Sequence, residues 1–376
     1  MLVKSIYTTM GRGRVRLDSM ILSEKDHKSY HVFYDFPLRY FMDLSLNCGD
    51  PFLALCLLPA MATGERLVIE APISYRLAET VDHLQTVFSK MHPDWSIIEV
   101  KAPIRAFRKL PLRLRQKRGL FFSLGVDSFY SLMELNNQKA QFGISHLILA
   151  QGFDVYFQKD NHQLFPEILN RTRQVADACG LEVLDVITNQ RDFSDQYVNW
   201  ETQYGCGAFS LGLALQSGFE TIYLASGMSI FYDGFIAYGS GPLITPHWST
   251  ERLRFIQHGG DAERQDKINA ISEFPLAMTH LRVCWKNPDN IYNCGQCEKC
   301  LRTMVGLKIS GGNERCCTLP QEIPLDLINQ IRITNPTVVH IYRRLIDDLE
   351  RIQGLDSQSR ALKEAFQRIL DDYLGQ

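Results

Sequence analysis

The sequence predicts an α/β fold built on a doubly wound parallel sheet, and three observations lead to this prediction. Between residues 119 and 225, short apolar runs alternate with amphipathic segments, as strands and helices do in such folds. A turn rich in small and polar residues follows the first apolar run, and a segment with four cysteines follows the last one. The strands are predicted at 119–123, 145–150, 182–187 and 220–225, and the helices at 127–137, 161–179 and 205–217.

The first 115 residues are predicted to form an N-terminal α+β domain. Alternation and aromatic content indicate strands, a continuous apolar run indicates a buried helix, and apolar residues at helical spacing indicate a second helix. The predicted strands are 15–22, 30–36, 66–73 and 95–100, and the predicted helices are 51–61 and 77–91.

The second unit, 116–318, contains the parallel sheet and the cysteines. The third unit, 319–376, is predicted to be a C-terminal helical region with helices at 325–333, 338–352 and 357–374. Within the second unit, helices are also predicted at 262–271 and 301–309, and Ser249, Thr250 and Glu251 resemble the start of another one.

The turn after the first parallel strand has the composition of an anion-binding loop. Residues 121–128 are Phe-Phe-Ser-Leu-Gly-Val-Asp-Ser, and an amphipathic segment follows them. A helix that begins here offers free backbone N–H groups to a phosphate, and the hydroxyls of Ser123 and Ser128 add donors. Asp127 would repel phosphate, so a bound Mg²⁺ or an orienting role suits it better. The alternative is an ordinary strand-to-helix turn with a Ser/Asp cap.

Four cysteines, Cys284, Cys294, Cys297 and Cys300, follow the spacing C-x9-C-x2-C-x2-C. Four thiolates at this spacing favour a closed tetrahedral Zn²⁺ site. An iron–sulfur cluster also uses four cysteines, and disulfide bonds are the remaining alternative.

The loop resembles the Ser-Gly-Gly-x-Asp-Ser motif of the PP-loop ATP pyrophosphatases, which split ATP between the α and β phosphates. Ser123, Gly125, Asp127 and Ser128 match the motif, whereas Leu124 stands where the family usually has glycine. Together with the cysteine motif, residues 118–310 resemble the 7-cyano-7-deazaguanine synthases of this superfamily. That family adenylates a carboxylate on a deazapurine, and ammonia then displaces AMP.

The resemblance implies ATP, Mg²⁺ and Zn²⁺ as cofactors and a HUP-like doubly wound fold. It places the ATP phosphates on Ser123, Leu124, Gly125, Val126, Asp127 and Ser128. It places Phe153 and Asp154, after the second strand, beside the adenosine. A lysine from a later helix commonly stabilises the charge that develops on the phosphates; Lys267 is the candidate, and Arg264 is the second choice.

The chain is longer at both ends than the standard synthases, which makes it similar to the synthase-like proteins of bacterial anti-phage operons. Some of these attach the deazaguanine to a partner protein, so ammonia and a protein amine both stay open as acceptors. Two other functions remain: a PP-loop tRNA sulfur-transfer enzyme, for which Cys206 is the reactive-cysteine candidate, and a binding protein without turnover.

Other residues are candidates for the rim of the site. Tyr232 and Asp233 follow the fourth strand and suit a purine-like edge, and Trp248 suits the wall of a heterocycle pocket. His247 is more often a packed residue than a catalytic base. A basic segment, 105–118, is interpreted mainly as a solvated linker, with ATP phosphate, an acidic protein or RNA as the alternative ligands.

Composition narrows the class of protein. The 376 residues are 45% hydrophobic and 22% charged, with a net charge of −2, as in ordinary globular proteins. Near-neutral charge gives no general case for nucleic acid. No run of about 18 apolar residues predicts a membrane span. The sequence predicts a protein of the reducing cytoplasm, and it leaves a homodimer open.

Overall fold

The computed structural model describes residues 1–106, 117–137, 143–158, 162–230, 238–334, 338–352 and 356–375. Its strands are β1 (Leu2–Gly11), β2 (Arg14–Leu22), β3 (Ser29–Pro37), β4 (Leu67–Ile69), β5 (Val100–Lys101), β6 (Lys117–Phe121), β7 (His146–Gln151), β8 (Glu182–Thr188), β9 (Phe219–Ala225) and β10 (Arg254–His258).

The helices of the described residues follow the same chain order. They are α1 (Asp50–Thr63), α2 (Tyr75–Met91), α3 (Val126–Asn137), α4 (Phe165–Cys179), α5 (Gln190–Ser194), α6 (Trp200–Ala214), α7 (Arg264–Ser272), α8 (Pro275–His280), α9 (Glu298–Ile309), α10 (Leu325–Asn329), α11 (Val339–Arg351) and α12 (Ser357–Leu374).

All ten strands belong to one mostly parallel sheet, which confirms the predicted α/β class. The strand order is β10-β9-β6-β7-β8-β3-β2-β1-β4-β5. The five strands from β10 to β8 pair in parallel, whereas β3, β2 and β1 add in antiparallel orientation.

The parallel part of the sheet changes its direction of growth at β6. From β6 the chain adds β7 and β8 on one side, and it then returns to add β9 and β10 on the other side. Ligands of open α/β sheets bind at such a point, beyond the carboxyl ends of the two diverging strands. The loops that follow β6 and β9 therefore occupy the expected position of a binding site.

Side chains of the parallel strands alternate between two hydrophobic cores, one on each face of the sheet. Phe121 and Ile148 point into a core that also contains α1, α2 and α6. Leu120 and Leu147 point into a second core with α3, α4, the cysteine segment and the C-terminal helices. Helices therefore cover both faces, as the period-2 alternation of a buried strand requires.

The N-terminal part is joined to the parallel sheet by backbone pairing. Tyr34 and Asp35 of β3 pair with Thr188 and Ile187 of β8. The sheet is thus continuous across the predicted boundary near residue 115, and the second core likewise crosses the predicted boundary near residue 318.

Most predicted elements lie within a few residues of their structural positions, but several differ. β1 and β10 were not predicted, and the predicted strand 66–73 is only three residues long. The strand predicted at 95–100 is wrong except at its last residue, because β5 is Val100–Lys101. The helix predicted to start at 249–251 is wrong, because this segment leads into β10. Ser249 Oγ accepts a hydrogen bond from Phe255 N at 3.0 Å, and Thr250 Oγ1 accepts one from Leu253 N at 3.1 Å. The hydroxyls form local turns instead of a helix cap.

Candidate functional site

The loop after β6 leads directly into the first turn of α3. Phe129 N donates to Gly125 O at 2.9 Å, and Ser128 Oγ donates to the same carbonyl at 3.0 Å. Ser123 is exposed. The predicted loop residues therefore lie together at the carboxyl edge of β6, with the helix N-terminus facing the same edge.

Lys267 of α7 connects the two loops at the point where the sheet changes direction. Its Nζ donates to Ser226 O, after β9, at 2.6 Å and lies 3.4 Å from Asp127 Oδ1. The lysine side chain is only 1% exposed. The structure thus brings together Asp127 and Lys267, two residues that the sequence analysis assigned to the site; their roles toward ATP stay predictions.

Arg264 forms a second ion pair with the same carboxylate. Its Nη1 donates to Asp127 Oδ2, and its side chain is 9% exposed. Its Nε and Nη2 are buried and have no hydrogen-bond partner among the described residues. Two unpaired donors on a buried cation are costly, and an anion at this edge of the sheet would satisfy them.

Three cations act electrostatically on the Asp127 carboxylate. Burial alone raises the pKa of Asp127, but Arg264, Lys267 and Lys299 together hold it below its usual value. Burial lowers the pKa of Lys267, while Asp127 opposes that shift. The acids Asp154, Asp261 and Glu298 also act on these cations. Three cations directed at one loop suit a polyphosphate.

Both oxygens of Asp127 accept from cations, so a Mg²⁺ ion bound there would compete with Arg264 and Lys267. The Mg²⁺ role of Asp127 stays a prediction. The role that the contacts favour is to hold the two cations in place.

Lys299 was missed by the sequence analysis. It lies between Cys297 and Cys300 in the first turn of α9. Burial lowers the pKa of Lys299, and Arg264 lowers it further, whereas Asp154 and Asp127 oppose the shift. The sequence feature that could have indicated Lys299 is a basic residue inside the cysteine motif. The position of Lys299 beside Asp127, however, depends on how the cysteine segment packs against the loop after β6.

Leu124 adopts a left-handed backbone conformation, with φ of 63°, and its side chain is fully buried. This conformation is costly for leucine, and glycine, the usual residue of the PP-loop motif, adopts it freely. The buried side chain belongs to the second core, and Leu124 O accepts a hydrogen bond from Arg282 N at 2.8 Å. Burial therefore offsets the strain at this position.

Leu124→Gly is expected to lower the free energy of unfolding by about 1–3 kcal/mol. Loss of a buried leucine costs about 2–5 kcal/mol, and relief of the backbone strain returns about 1–2 kcal/mol. Urea titration of the wild type and the variant measures the difference. Leu124→Ala keeps the strain and should be less stable than Leu124→Gly; a glycine variant more stable than the wild type would contradict this account.

Phe153 and Asp154 lie after β7, at the same edge of the sheet. Phe153 is 8% exposed and packs against Phe121 and Trp200, with ring centroids 6.2 and 5.3 Å away. Trp200 Nε1 donates to Asp154 Oδ1 at 3.1 Å. Contact of these residues with adenosine stays a prediction. The packing of the Phe153 ring against Phe121 and Trp200 leaves little of its surface open to a base.

Several other candidates have structural roles. Trp248 is fully buried against Phe209, so its prediction as the wall of a heterocycle pocket is wrong. His247 packs against His83, with ring centroids 4.2 Å apart. Cys206 is fully buried, and burial raises the pKa of its thiol, which does not favour a reactive thiolate. Tyr232 and Asp233 lie outside the described residues.

The described part of the basic segment pairs with acidic side chains. Lys117 Nζ lies 2.6 Å from Asp43 Oδ2, and Arg118 pairs with Glu220. Arg105 lies 3.7 Å from Asp50. These contacts are those of structural ion pairs, and residues 107–116 lie outside the described residues.

The four predicted cysteines form a second cluster beside the loop. Their sulfur atoms all lie within 4.8 Å of one another, with Cys284–Cys297 at 3.9 Å and Cys294–Cys300 at 4.0 Å. Tetrahedral Zn–S bonds of about 2.3 Å place sulfurs about 3.8 Å apart. The cluster can therefore hold one metal ion such as zinc, whereas the several irons of an iron–sulfur cluster would hold the sulfurs further apart.

The backbone around the cysteines fits metal thiolates. Asn287 N donates to Cys284 Sγ at 3.2 Å, and Cys297 N donates to Cys294 Sγ at 3.3 Å. Gly295 has φ of 68°, so it makes the tight turn between the second and third cysteines. All ten cysteines of the chain are free thiols, which does not support the disulfide alternative.

Comparisons with protein-family models, with curated proteins and with solved structures give no match for this chain. Among the described residues, no helix combines the length and the apolar character needed to cross a membrane. The function must therefore be inferred from the loop, the cations around Asp127 and the cysteine cluster.

Proposed function

We propose that this chain is a PP-loop ATP pyrophosphatase that activates a carboxylate as its adenylate and then joins it to a nitrogen nucleophile. The observation that carries the proposal is the contact of Lys267 with both Asp127 and Ser226 O. This contact lies where the sheet changes direction, the position at which α/β folds bind their ligands.

The residues at this edge suit the first half of the reaction. The ATP phosphates would lie on residues 123–128, where backbone N–H groups of α3 and the hydroxyl of Ser123 can donate. Arg264, Lys267 and Lys299 supply the positive charge that an attack on the α-phosphate requires as pyrophosphate leaves. Asp127 keeps Arg264 and Lys267 at this position. Mg²⁺ would enter with the ATP phosphates.

The second half of the reaction needs a carboxylate and an amine. The resemblance implies 7-carboxy-7-deazaguanine or a similar compound as the carboxylate. Attack of a nitrogen nucleophile on the acyl adenylate forms a C–N bond and releases AMP. With ammonia the first product is an amide; a second ATP would have to adenylate the amide oxygen, which then leaves with AMP as the nitrile forms. With a protein amine the product is a deazaguanine–protein conjugate, as in the anti-phage branch.

The four cysteines would hold a structural Zn²⁺. Four thiolate ligands leave no open coordination position, so zinc would stabilise the fold and would not take part in the chemistry. Its contribution to the site is indirect, because Cys297 and Cys300 flank Lys299.

Asp127→Asn is expected to lower ATP-dependent AMP formation by at least about 100-fold. The amide keeps the shape of the side chain but removes the charge that orients Arg264 and Lys267, and such electrostatic contacts are worth about 10²–10³ in rate. AMP and pyrophosphate release from ATP–Mg²⁺ with 7-carboxy-7-deazaguanine, with and without ammonium, measures the effect.

Asp177→Asn, at an exposed position of α4, is the matched control and should keep full activity. Mass spectrometry of the product identifies the amine acceptor. Wild-type protein that releases no AMP with this carboxylate, with or without ammonium or a co-expressed partner protein, would sink the proposal and favour a binding protein without turnover. Transfer of sulfur to tRNA would favour the tRNA sulfur-transfer enzyme instead, although Cys206 is too buried to be its reactive cysteine.

A further inference from the structure

Helix α11, in the C-terminal region to which the proposed function assigns no chemistry, contacts both helices that carry the cations. It packs against α7, which carries Arg264 and Lys267, and against α9, which carries Lys299. We infer that Arg344 and Tyr342 of α11 are positioning residues that hold these cations at the phosphate-binding loop. This inference rests on the proposed function for its catalytic consequence.

Arg344 binds the first turn of α7. Its Nη1 lies 2.7 Å from Glu263 Oε2, and its Nη2 lies 2.9 Å from Asp266 Oδ1. These two acids form the capping box of α7: the Glu263 side chain accepts from the backbone at Asp266, and the Asp266 side chain accepts from the backbone at Glu263. Arg264 lies between them in the sequence. Arg344 therefore fixes the beginning of α7 at the position from which Arg264 reaches Asp127.

Arg344 also neutralises charge. Without it, two carboxylates would stand uncompensated beside Arg264 and Lys267 and would weaken the attraction of these cations for phosphate. A third contact, of Arg344 Nε with Asp348 Oδ2 at 2.7 Å, anchors the guanidinium to its own helix.

Tyr342 binds the first turn of α9. Its side chain is fully buried, and its hydroxyl donates to Glu298 Oε1 at 2.9 Å. Arg302 Nε donates to the same oxygen at 2.7 Å. Glu298 directly precedes Lys299, so the two bonds fix the turn that carries Lys299, a lysine that acts electrostatically on Asp127.

The space between the three helices is lined by apolar side chains such as Ile268, Ile341 and Leu345 together with Arg302 and Arg344. Tyr342 is fully buried, so water competes little with its bond to Glu298. Arg344 is 31% exposed, so its ion pairs with Glu263 and Asp266 are partly open to water, and the fork geometry is what gives them their hold on α7. The C-terminal region is therefore a structural part of the site.

The test is the affinity for inorganic pyrophosphate, measured by calorimetry, together with KM for ATP and kcat of AMP formation. Arg344→Ala is expected to weaken pyrophosphate binding and to raise KM for ATP by about fivefold or more, with unchanged zinc content, as loss of a charged hydrogen-bond network does. Arg344→Lys keeps the positive charge but not the guanidinium, which contacts two acids at once. It should bind pyrophosphate more tightly than Arg344→Ala but less tightly than the wild type.

Lys363→Ala is the matched control, because Lys363 pairs with Glu350 within the C-terminal region and this pair lies away from the first turns of α7 and α9. It should bind pyrophosphate as the wild type does. If Arg344→Ala does not fold, Tyr342→Phe tests the positioning role instead. This variant keeps the ring and removes only the hydroxyl, and we expect it to bind pyrophosphate about threefold more weakly than the wild type.

The two proposals fail in different ways. A wild type that binds pyrophosphate through Arg344 but makes no AMP would overturn the proposed reaction and support the positioning role. AMP formation and pyrophosphate affinity that are unchanged in folded Arg344→Ala, or in Tyr342→Phe, would overturn the positioning role alone. A wild type that binds no pyrophosphate and makes no AMP would overturn both.

Discussion

Cys300→Ser is expected to remove the metal ion and to unfold at least the segment that surrounds the four cysteines. Cys300 is fully buried in the first turn of α9, and its sulfur lies 4.0 Å from that of Cys294. A structural zinc site is worth about 10–16 kcal/mol in small domains, which is comparable with the total stability of about 5–15 kcal/mol of a typical protein. We therefore expect insoluble expression or a large fall in Tm.

The measurements are zinc content by elemental analysis, Tm, and hydrogen exchange over residues 281–320. Cys317→Ser is the matched control, because Cys317 is an exposed cysteine near the same segment and lies outside the cluster. It should keep one zinc per chain and the wild-type Tm. Visible absorption of an iron–sulfur cluster in the purified protein, or a Cys300→Ser variant with full stability, would contradict the expectation.

The consequence of metal loss should reach the proposed phosphate-binding loop, 123–128. Arg282 lies two residues before Cys284, the first cysteine of the cluster. Its backbone N–H donates to Leu124 O, in the loop, at 2.8 Å. Lys299 lies between the third and fourth cysteines and approaches Asp127. Chelation of the metal should therefore weaken pyrophosphate binding even under conditions in which the parallel sheet stays folded.

Four of the five strands in the parallel part of the sheet were predictable because each contains an apolar run that both faces of the sheet bury. Leu120 and Phe121, for example, enter opposite cores. β1 and β10 were missed for the opposite reason: their residues are mixed in character, and pairing with neighbours distant in sequence makes them strands. Arg254 of β10 pairs with Thr221, which local pattern alone does not reveal.

The site was predictable in part for a similar reason. Asp127 belongs to a short motif at the end of a predicted strand, and Lys267 lies in the helix predicted at 262–271, which the structure has at Arg264–Ser272. The places of Lys299 and Arg344 depend on how the cysteine segment and α11 pack onto α7. Such contacts join residues far apart in the chain, and no local spacing encodes them.

Lys267→Met is expected to lower kcat for AMP formation by about 10²–10³-fold, the usual effect of losing one group that stabilises transition-state charge. Methionine fills a similar volume, so the buried contacts of the lysine stem are largely kept. The lost interactions are those of Nζ with Asp127 Oδ1 and Ser226 O, at 3.4 and 2.6 Å. Stopped assays of AMP and pyrophosphate measure the effect, and circular dichroism checks the fold.

The pH dependence adds an independent test of the same residue. Burial lowers the pKa of Lys267 below its usual value of 10.5, Arg264 adds to the shift, and Asp127 opposes it. A reaction that needs protonated Lys267 should therefore lose activity on the alkaline side before pH 10.5. Lys267→Arg stays charged over this range, so its alkaline limb should be shifted upward or absent, although the different geometry should lower its rate.

Lys308→Ala is the control for the general effect of losing a lysine. Lys308 lies in the last turn of α9, away from its cysteine-bearing first turn, and pairs with Asp356. It should change neither kcat nor the pH profile. If folded Lys267→Met kept more than about a tenth of the wild-type rate, the loss would be smaller than that of one charge-stabilising group. Lys267 would then be a buried structural cation that joins the loops after β6 and β9, and the charge on the leaving pyrophosphate would have to be met by Arg264 and Lys299.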